Sequence, residues 1–325
     1  MYNVAIIGCG RISHKIAEGV AKNHDRMKLV ALCDPIEEKM FETEKTYNKK
    51  IENKLSLLKY KDYKEILDQN KIDIAIISTE SGYHEEIGLY FLENGVNLII
   101  EKPLAMSIEG AQKLVDTAKR NNLKLAASHQ NRFNYPIQLL KKAIKENKLG
   151  KIFNGMARVL WTRDDNYYLQ APWRGTWALD GGTLMNQCIH NIDLINWMMD
   201  DEIDTVYSQT SNYIRNIEAE DYGVILIRYK SGKIATIEGS AIVYPKNLEE
   251  TLTVTGEKGT VVIGGMAVNK INTWRVEGDN EEEYLSIDCG DPNSVYGYGH
   301  EALYKDFIEA IVAILPDLYL IIITP

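Results

Sequence analysis

An apolar, β-branched run at the N-terminus, Tyr2-Asn-Val-Ala-Ile-Ile, leads directly into Gly8-Cys9-Gly10-Arg11-Ile12-Ser13 and then into a helical pattern. Strand, glycine turn and helix in that order commit the opening of the chain to a βαβ unit. Gly8 permits the tight turn, and Gly10 lets the backbone come close to a bound group. A helix beginning near Arg11 points unpaired N–H groups at that spot, which suits the pyrophosphate of a dinucleotide. Ser13 stands where the fingerprint has a third glycine; its hydroxymethyl group adds little volume where helix meets strand. A second apolar strand, Met27 to Leu32, ends in Cys33-Asp34. Asp34 follows Ser13 at close to the offset of about 20 residues expected of an acid that holds the adenosine ribose hydroxyls. A carboxylate there repels a 2′-phosphate, and no Arg or Lys follows until Lys39, so NAD is expected rather than NADP. Glycines alone are a weak signal, since any strand-to-helix turn carries them; the placed acid and the αβ periodicity strengthen it.

The alternation continues. Asp62 to Gln69 reads as a short helix, Ile72 to Ser78 as a buried strand, Tyr83 to Asn94 as a helix closed by Gly95, and Val96 to Ile100 as a strand. Ser107 caps a helix reaching Arg120, and Leu123 to Ala127 is one more strand. This predicts an α/β Rossmann domain over residues 1–123, with right-handed crossovers, a parallel sheet, and ligands at the carboxyl ends of its strands. Ser78, Thr79, Glu101 and Lys102 occupy such ends, although ordinary loop chemistry accounts equally well for Ser78 and Thr79.

Residues 124–325 have another texture. A helix from Tyr135 to Asn147 leads through Gly150 into longer segments of partial alternation: Lys151 to Arg163, Ile203 to Tyr213, Asp221 to Tyr229, Lys233 to Val243, Thr251 to Thr255 and Thr260 to Ile263. Hairpin turns at Lys230-Ser231-Gly232 and Gly256-Glu-Lys-Gly259 predict a mainly antiparallel sheet in an α+β C-terminal domain, closed by a helix from Gly299 to Ala313. Two domains fit a length of 325 residues of which 45% are hydrophobic. The net charge of −9 argues against a nucleic-acid surface. The Lys-rich stretch Lys45 to Lys64 is interleaved with acids and reads as solvated helix faces. Cys9, Cys33, Cys188 and Cys289 lack paired spacing, so free thiols in a reducing cytoplasm are expected, with no metal site and no signal peptide. The apolar tail after Ala310 is broken by Pro316-Asp317 and is shorter than the roughly 20 residues that span a bilayer. A buried terminal strand or an altered end is expected there, and no membrane anchor.

The second half carries Trp173-Arg174-Gly175-Thr176-Trp177, then Asp180-Gly181-Gly182 and Asn186…His190…Asp193. On one helix the last three share a face, with apolar residues between them. An isolated histidine of this kind is more often a satisfied core residue capped by its neighbouring acid. The Gly181-Gly182 entry, which lets backbone approach a flat ligand, favours a site. His84 and His129 are further candidates to line a cleft; His14, His24 and His300 lack comparable company.

Gly8-Cys-Gly10-Arg11-Ile12, Glu101-Lys102-Pro103-Leu104-Ala105, Asn131-Arg132-Phe133-Asn134 and Gly181-Gly182…His190-Asn-Ile-Asp193 together resemble the glucose-fructose oxidoreductase/inositol dehydrogenase (Gfo/Idh/MocA) family, from the first strand to the hairpin at Gly256. The resemblance implies a Rossmann domain, an open-faced antiparallel sheet used in homodimer or homotetramer contacts, and Lys102 and His190 acting on a sugar hydroxyl. Trp-Arg-Gly-Thr-Trp followed by Leu-Met-Asn-Gln looks most like members that oxidise the 3-hydroxyl of UDP-N-acetylglucosamine or its uronate. Hydride then passes from a secondary carbinol carbon to NAD. His190, with an ordinary pKa near 6.5, suits the proton acceptor, and Lys102 stabilises developing alkoxide charge; the two roles are exchangeable. Candidate cofactor contacts are Gly8, Gly10, Arg11, Ile12, Asp34, Ser78, Thr79, His84, Glu101, Lys102 and Arg174. Candidate substrate contacts are Lys102, Asn131, Arg132, Tyr167, Asn186 and His190. Many relatives carry Asp where this chain has Asn186, and an amide orients but takes no proton. The tail after Ala310 also departs from the family pattern. An inositol or simple-sugar dehydrogenase and a non-catalytic dinucleotide- and sugar-binding regulator are the alternatives.

Overall fold

The computed structural model describes residues 1–290 and 295–313. Residues 1–128 together with 300–313 form one compact unit, and 129–299 form another. The expectation for the tail beyond residue 313 lies outside the described residues.

In the first unit, β1 (Tyr2–Ile7), α1 (Ser13–Lys22), β2 (Met27–Cys33), α2 (Glu37–Asn48), β3 (Leu58–Tyr60), α3 (Glu65–Gln69), β4 (Ile74–Ile77), α4 (His84–Glu93), β5 (Asn97–Ile100), α5 (Ile108–Arg120) and β6 (Leu125–Ala127) alternate, with β3 in a stretch where the periodicity predicts no strand. The sheet is parallel, in the order β3-β2-β1-β4-β5-β6. Order reverses after β1, so the crevice beyond β1 and β4 is where a ligand fits such a sheet. Strands β4 and β5 are almost wholly buried, as befits apolar runs covered on both faces. Of the stretch Lys45 to Lys64, only its start is helical. The chain leaves α2 at Asn48 and pairs as β3, where Lys59 reaches Glu44 at 2.7 Å.

The second unit contains α6 (Tyr135–Lys145), β7 (Ile152–Leu160), α7 (Asp165–Leu169), α8 (Thr183–Asn186), α9 (Ile189–Met199), β8 (Ile203–Ser211), β9 (Tyr222–Tyr229), β10 (Ile234–Ser240), β11 (Glu249–Gly256), β12 (Gly259–Gly264), β13 (Lys270–Val276) and α10 (Glu281–Leu285). Its seven strands run β13-β12-β11-β7-β10-β9-β8, antiparallel except for β10 against β7. One face is a core: Ala157, Ile227, Ala235, Ile237, Leu252, Val254 and Val261 pack with Leu194, Ile195 and Met198 of α9 and Ile137 and Leu140 of α6. The other face is open.

The closing helix α11 (His300–Val312) does not join that sheet. Tyr304 of α11 lies where a side chain on Gly19 of α1 would be, so the helix belongs to the first unit. The unit boundary at 128/129 therefore differs from the division at 123/124, because β6 needs its last residues to pair with β5.

Candidate active site

Gly8 adopts φ +92°, and a Cβ there would meet the Ser78 and Thr79 backbone at 2.6 Å. The turn is closed by Ser78, whose Oγ donates to the Gly8 carbonyl at 2.7 Å. At Gly10 a Cβ would meet nothing within 4 Å, so the backbone there faces open space. The helix begins at Ser13 rather than near Arg11, with Arg11 exposed and Ile12 at the N-cap. Ser13 is fully buried and donates to Gly10 at 2.7 Å, with Thr43 of α2 at 2.9 Å. The residue in the third glycine position thus faces a neighbouring helix through its hydroxyl. Asp34 is held at the end of β2, its two carboxylate oxygens accepting from the Cys9 N–H at 2.8 Å and the Ile36 N–H at 2.9 Å. Open backbone over a helix start, beside a fixed carboxylate, fits a dinucleotide. Cys9 and Cys33 lie behind this turn, and burial pushes both thiols up to about 12, which leaves them inert.

Lys102 is half-buried beyond β5, on a turn fixed from two directions. The buried ring of His84 sits with Nδ1 2.7 Å from the Pro103 carbonyl and Nε2 3.2 Å from that of Thr79, and burial lowers its pKa. His84 thereby ties the two loops that follow β4 and β5. Glu101 is buried under the same turn. Burial raises its carboxyl while the Ser128 hydroxyl opposes the shift, and His300 Nε2 from α11 stands 3.9 Å away. His300, which has no partner in the sequence pattern, is fully buried, and burial pulls it down to about 4.

In the second unit the polar stripe is not one helix. Asn186 ends α8, residues 187 and 188 interrupt, and His190 and Asp193 lie on α9. Asp193 is engaged from outside α9. It takes a bidentate pair from Arg132, at 2.6 Å from Nε and 2.5 Å from Nη2, and lies 3.7 Å from His129 Nδ1. Arg132, expected as a substrate contact, is therefore committed to Asp193 and stacks over Trp197 at 4.8 Å. His129 meets His190 edge-on at 5.5 Å between ring centres. Buried Asn131 has a side-chain oxygen without an acceptor's partner. Asn186 is held by a residue to which the sequence pattern assigns no role: Asp180 accepts from its amide and, at 2.7 Å, from the Gly175 N–H. Gln187 Nε2 then joins the Asn186 Oδ1 at 2.8 Å to the Tyr167 hydroxyl at 3.2 Å.

The glycine pair has a cause inside the protein. A Cβ on Gly182 would strike the carboxylate of Glu220, whose Oε1 accepts from the Leu184 N–H at 2.8 Å at the start of α8; Gly181, at φ +78°, packs against Met185. Local packing, rather than a ligand's approach, requires both glycines. Arg174 also belongs to this unit, its guanidinium carbon 4.0 Å from the Tyr167 ring centre.

Among the described residues no cluster of His, Cys, Asp or Glu is arranged to hold a metal, and no helix is long and apolar enough to cross a membrane. Residues 2–129 match the oxidoreductase family with an NAD-binding Rossmann fold, and 137–262 match the GFO/IDH/MocA C-terminal domain. The structure is similar to the WlbA dehydrogenase from Bordetella pertussis, solved in complex with NADH and UDP-GlcNAcA. The TM-score is 0.84 at 32% identity, over 97% of this chain and 90% of that one. The chain is also 24% identical to myo-inositol 2-dehydrogenase of Thermotoga maritima over 87% of its length and 81% of the relative's. It is 24% identical to the NAD-dependent scyllo-inositol 2-dehydrogenase of Bacillus subtilis over 85% and 78%.

Proposed function

The chain belongs to the Gfo/Idh/MocA family of NAD-dependent sugar oxidoreductases, and from that premise we propose that it oxidises the 3-hydroxyl of a UDP-N-acetylhexosamine or its uronate. The likeness to a nucleotide-sugar-bound dehydrogenase over nearly the whole chain carries this reading, together with the Trp173-Arg174-Gly175-Thr176-Trp177 segment.

NAD, when bound, supplies the hydride acceptor. On the turn that Gly8 makes possible, Gly10 and Asp34 bind it through open backbone and a fixed carboxylate. His190 takes the proton of the reacting hydroxyl, and Lys102 donates to the same oxygen, stabilising alkoxide character as hydride leaves. Asn186 takes no proton. Held by Asp180, it presents a fixed amide to a substrate hydroxyl. His84 and Glu101 support the Lys102 turn.

Absorbance at 340 nm after adding NAD and a panel of inositols, simple sugars and UDP-sugars tests the proposal, with a 2-oxo acid present in a parallel set to reoxidise tightly held NADH. Turnover of a UDP-N-acetylhexosamine is expected, and Lys102→Met should bind NAD yet lose turnover by a factor on the order of 1,000. Turnover confined to inositols would replace the substrate, binding without NADH formation would make the protein a sensor, and near-normal activity in Lys102→Met would remove Lys102 from the chemistry.

A further inference from the structure

The first unit gathers polar atoms beneath the Lys102 turn. Glu101 Oε1, Ser128 Oγ, His300 Nε2 and Tyr304 Oη are all buried, and none has a hydrogen-bond partner among the described residues. The His300 nitrogen stands 3.9 Å from the Glu101 oxygen. Ser128 and Tyr304 are near enough to feel the same carboxyl. Helix α11 builds this meeting. Gly19 of α1 leaves room for the Tyr304 ring, the Lys22 ammonium reaches Glu301 at 2.7 Å, and the Asn23 amide donates to the Glu301 carbonyl at 3.1 Å.

A buried carboxylate needs donors. Asp221, fully buried in the second unit, takes the backbone N–H groups of Tyr213, Ile214 and Arg215, each at 2.9 Å, whereas Glu101 Oε1 takes none. Burial pushes the Glu101 carboxyl up, against the Ser128 hydroxyl and the charge and backbone N–H of Lys102. His300 supplies no counter-charge. It is the first residue of α11, where the positive end of the helix disfavours an imidazolium, and burial and the charge of Lys15 on α1 act in the same direction. Burial also holds the Tyr304 phenol protonated. The α11 groups that face Glu101 are thus neutral, and the charge that acts on it is that of Lys102.

We propose that Glu101 is a positioning residue that keeps its proton in the folded enzyme and aims it at His300 Nε2. Helix α11 then holds the Lys102 turn through a neutral contact, and no buried negative charge stands beneath Lys102. An ionised Glu101 would draw the Lys102 ammonium to itself, whereas a protonated one leaves that charge to act on the oxygen of the reacting hydroxyl. The role of Lys102 rests on the reading above; the proton on Glu101 does not.

Infrared difference spectra of wild type against Glu101→Gln, in D2O at pH 7 and without substrate, read the proton directly. A carboxylic-acid carbonyl band lost in the variant is expected, and a lost carboxylate band would overturn the proposal. Should Glu101→Gln fail to fold, His300→Phe decides: loss of the acceptor should move the acid band to higher wavenumber, and a spectrum without that displacement would overturn the contact. Kinetics with the sugar found at 340 nm test the consequence for Lys102. The basic limb of kcat against pH should stay in place in Glu101→Gln, because no charge has been removed. A fall of that limb by about one pH unit would reveal a carboxylate beneath Lys102 in the wild type, since its loss makes the ammonium easier to deprotonate, and would likewise overturn the proposal. If no sugar is oxidised, the function proposed above fails and the infrared result alone decides the state of Glu101.

Discussion

Asn186 is the residue at which chemistry and sequence pattern part company, because an amide stands where many relatives have an acid. Asp180, six residues earlier, supplies a carboxylate that fixes the amide. No spacing rule reaches it, since Asp180 and Asn186 meet through the turn at Gly181. The same holds for His300 beside Glu101, brought together across about two-thirds of the chain by the packing of α11 on α1. Lys102 and Asp34 were legible because each follows a recognisable buried strand. Glu250 was not, because the sequence pattern places the strand from Thr251, one residue after the position that shares the buried face with Leu252 and Val254. Its carboxyl is raised from 4.5 to about 8 by burial, opposed by the nearby Asn191 amide and the charge of Arg163. Between those values the folded chain keeps a proton that the unfolded chain has released, so stability falls as pH rises through that window. His300, lowered from 6.5 to about 4, acts in the opposite sense: the folded chain excludes a proton the unfolded chain binds, and stability rises with pH from about 4 to 6.5. Glu250→Gln removes only the first effect. The melting temperature of Glu250→Gln relative to wild type should therefore climb from pH 5 to pH 8, by an amount on the order of a few kcal/mol in stability. Scanning calorimetry at the two pH values checks this, and a difference that stays constant or shrinks would show that Glu250 ionises freely in the fold.

At the scale of elements, apolar periodicity found the parallel strands except the three-residue β3 and most of the antiparallel ones, and failed where geometry breaks the period. Strand β13 was missed because the register shifts between Val262 and Ile263: Val262 pairs with Thr273 and Ile263 with Ile271. Asn272 is the extra residue, so Ile271 and Trp274 both face the core although they are three apart, which no period of two reveals. The α8–α9 break was hidden for the opposite reason, since the sequence from Thr183 to Met199 keeps a helical texture across it. The β1–α1 turn makes the sharpest element-scale prediction, because its two glycines are required for different reasons. Gly8→Ala would put a methyl group 2.6 Å from the Ser78 and Thr79 backbone at a positive φ. It should cost about 2 kcal/mol or more of stability and lower the melting temperature by several degrees. Gly10→Ala meets nothing in the protein and should melt like the wild type while binding NADH at least about tenfold more weakly. Thermal melts with fluorescence titration of NADH separate the two. Equal loss of stability in both variants would show that the turn is simply intolerant of side chains, and unchanged NADH binding in Gly10→Ala would show that its open face holds no cofactor.

For the molecule as a whole, the seven-stranded sheet poses the remaining physical problem. Its registers align Thr273, Val262, Thr253, Met156, Thr236, Leu226 and Tyr207 in one row across the open face. Met156 is 46% exposed, Leu226 44% and Tyr207 62%, and Phe153 and Ile234 nearby are also exposed. The helices cover only the opposite face, so this one presents thioether, leucine and tyrosine surface to water, with Arg158 and its partners Glu238 and Glu249, Arg228 and Arg275 among its charges. An apolar sheet face of this extent is stable in solution when a second surface covers it, and from the open-sheet contact implied by the resemblance we propose another copy of the chain as the occupant. A charge at the centre of the row should then be incompatible with assembly while leaving the buried core untouched. Met156→Glu is expected to sediment at half the wild-type mass or less, with secondary structure retained by circular dichroism. Equal masses for the two proteins in sedimentation equilibrium at the same concentration would mean that the face serves some other contact, or none.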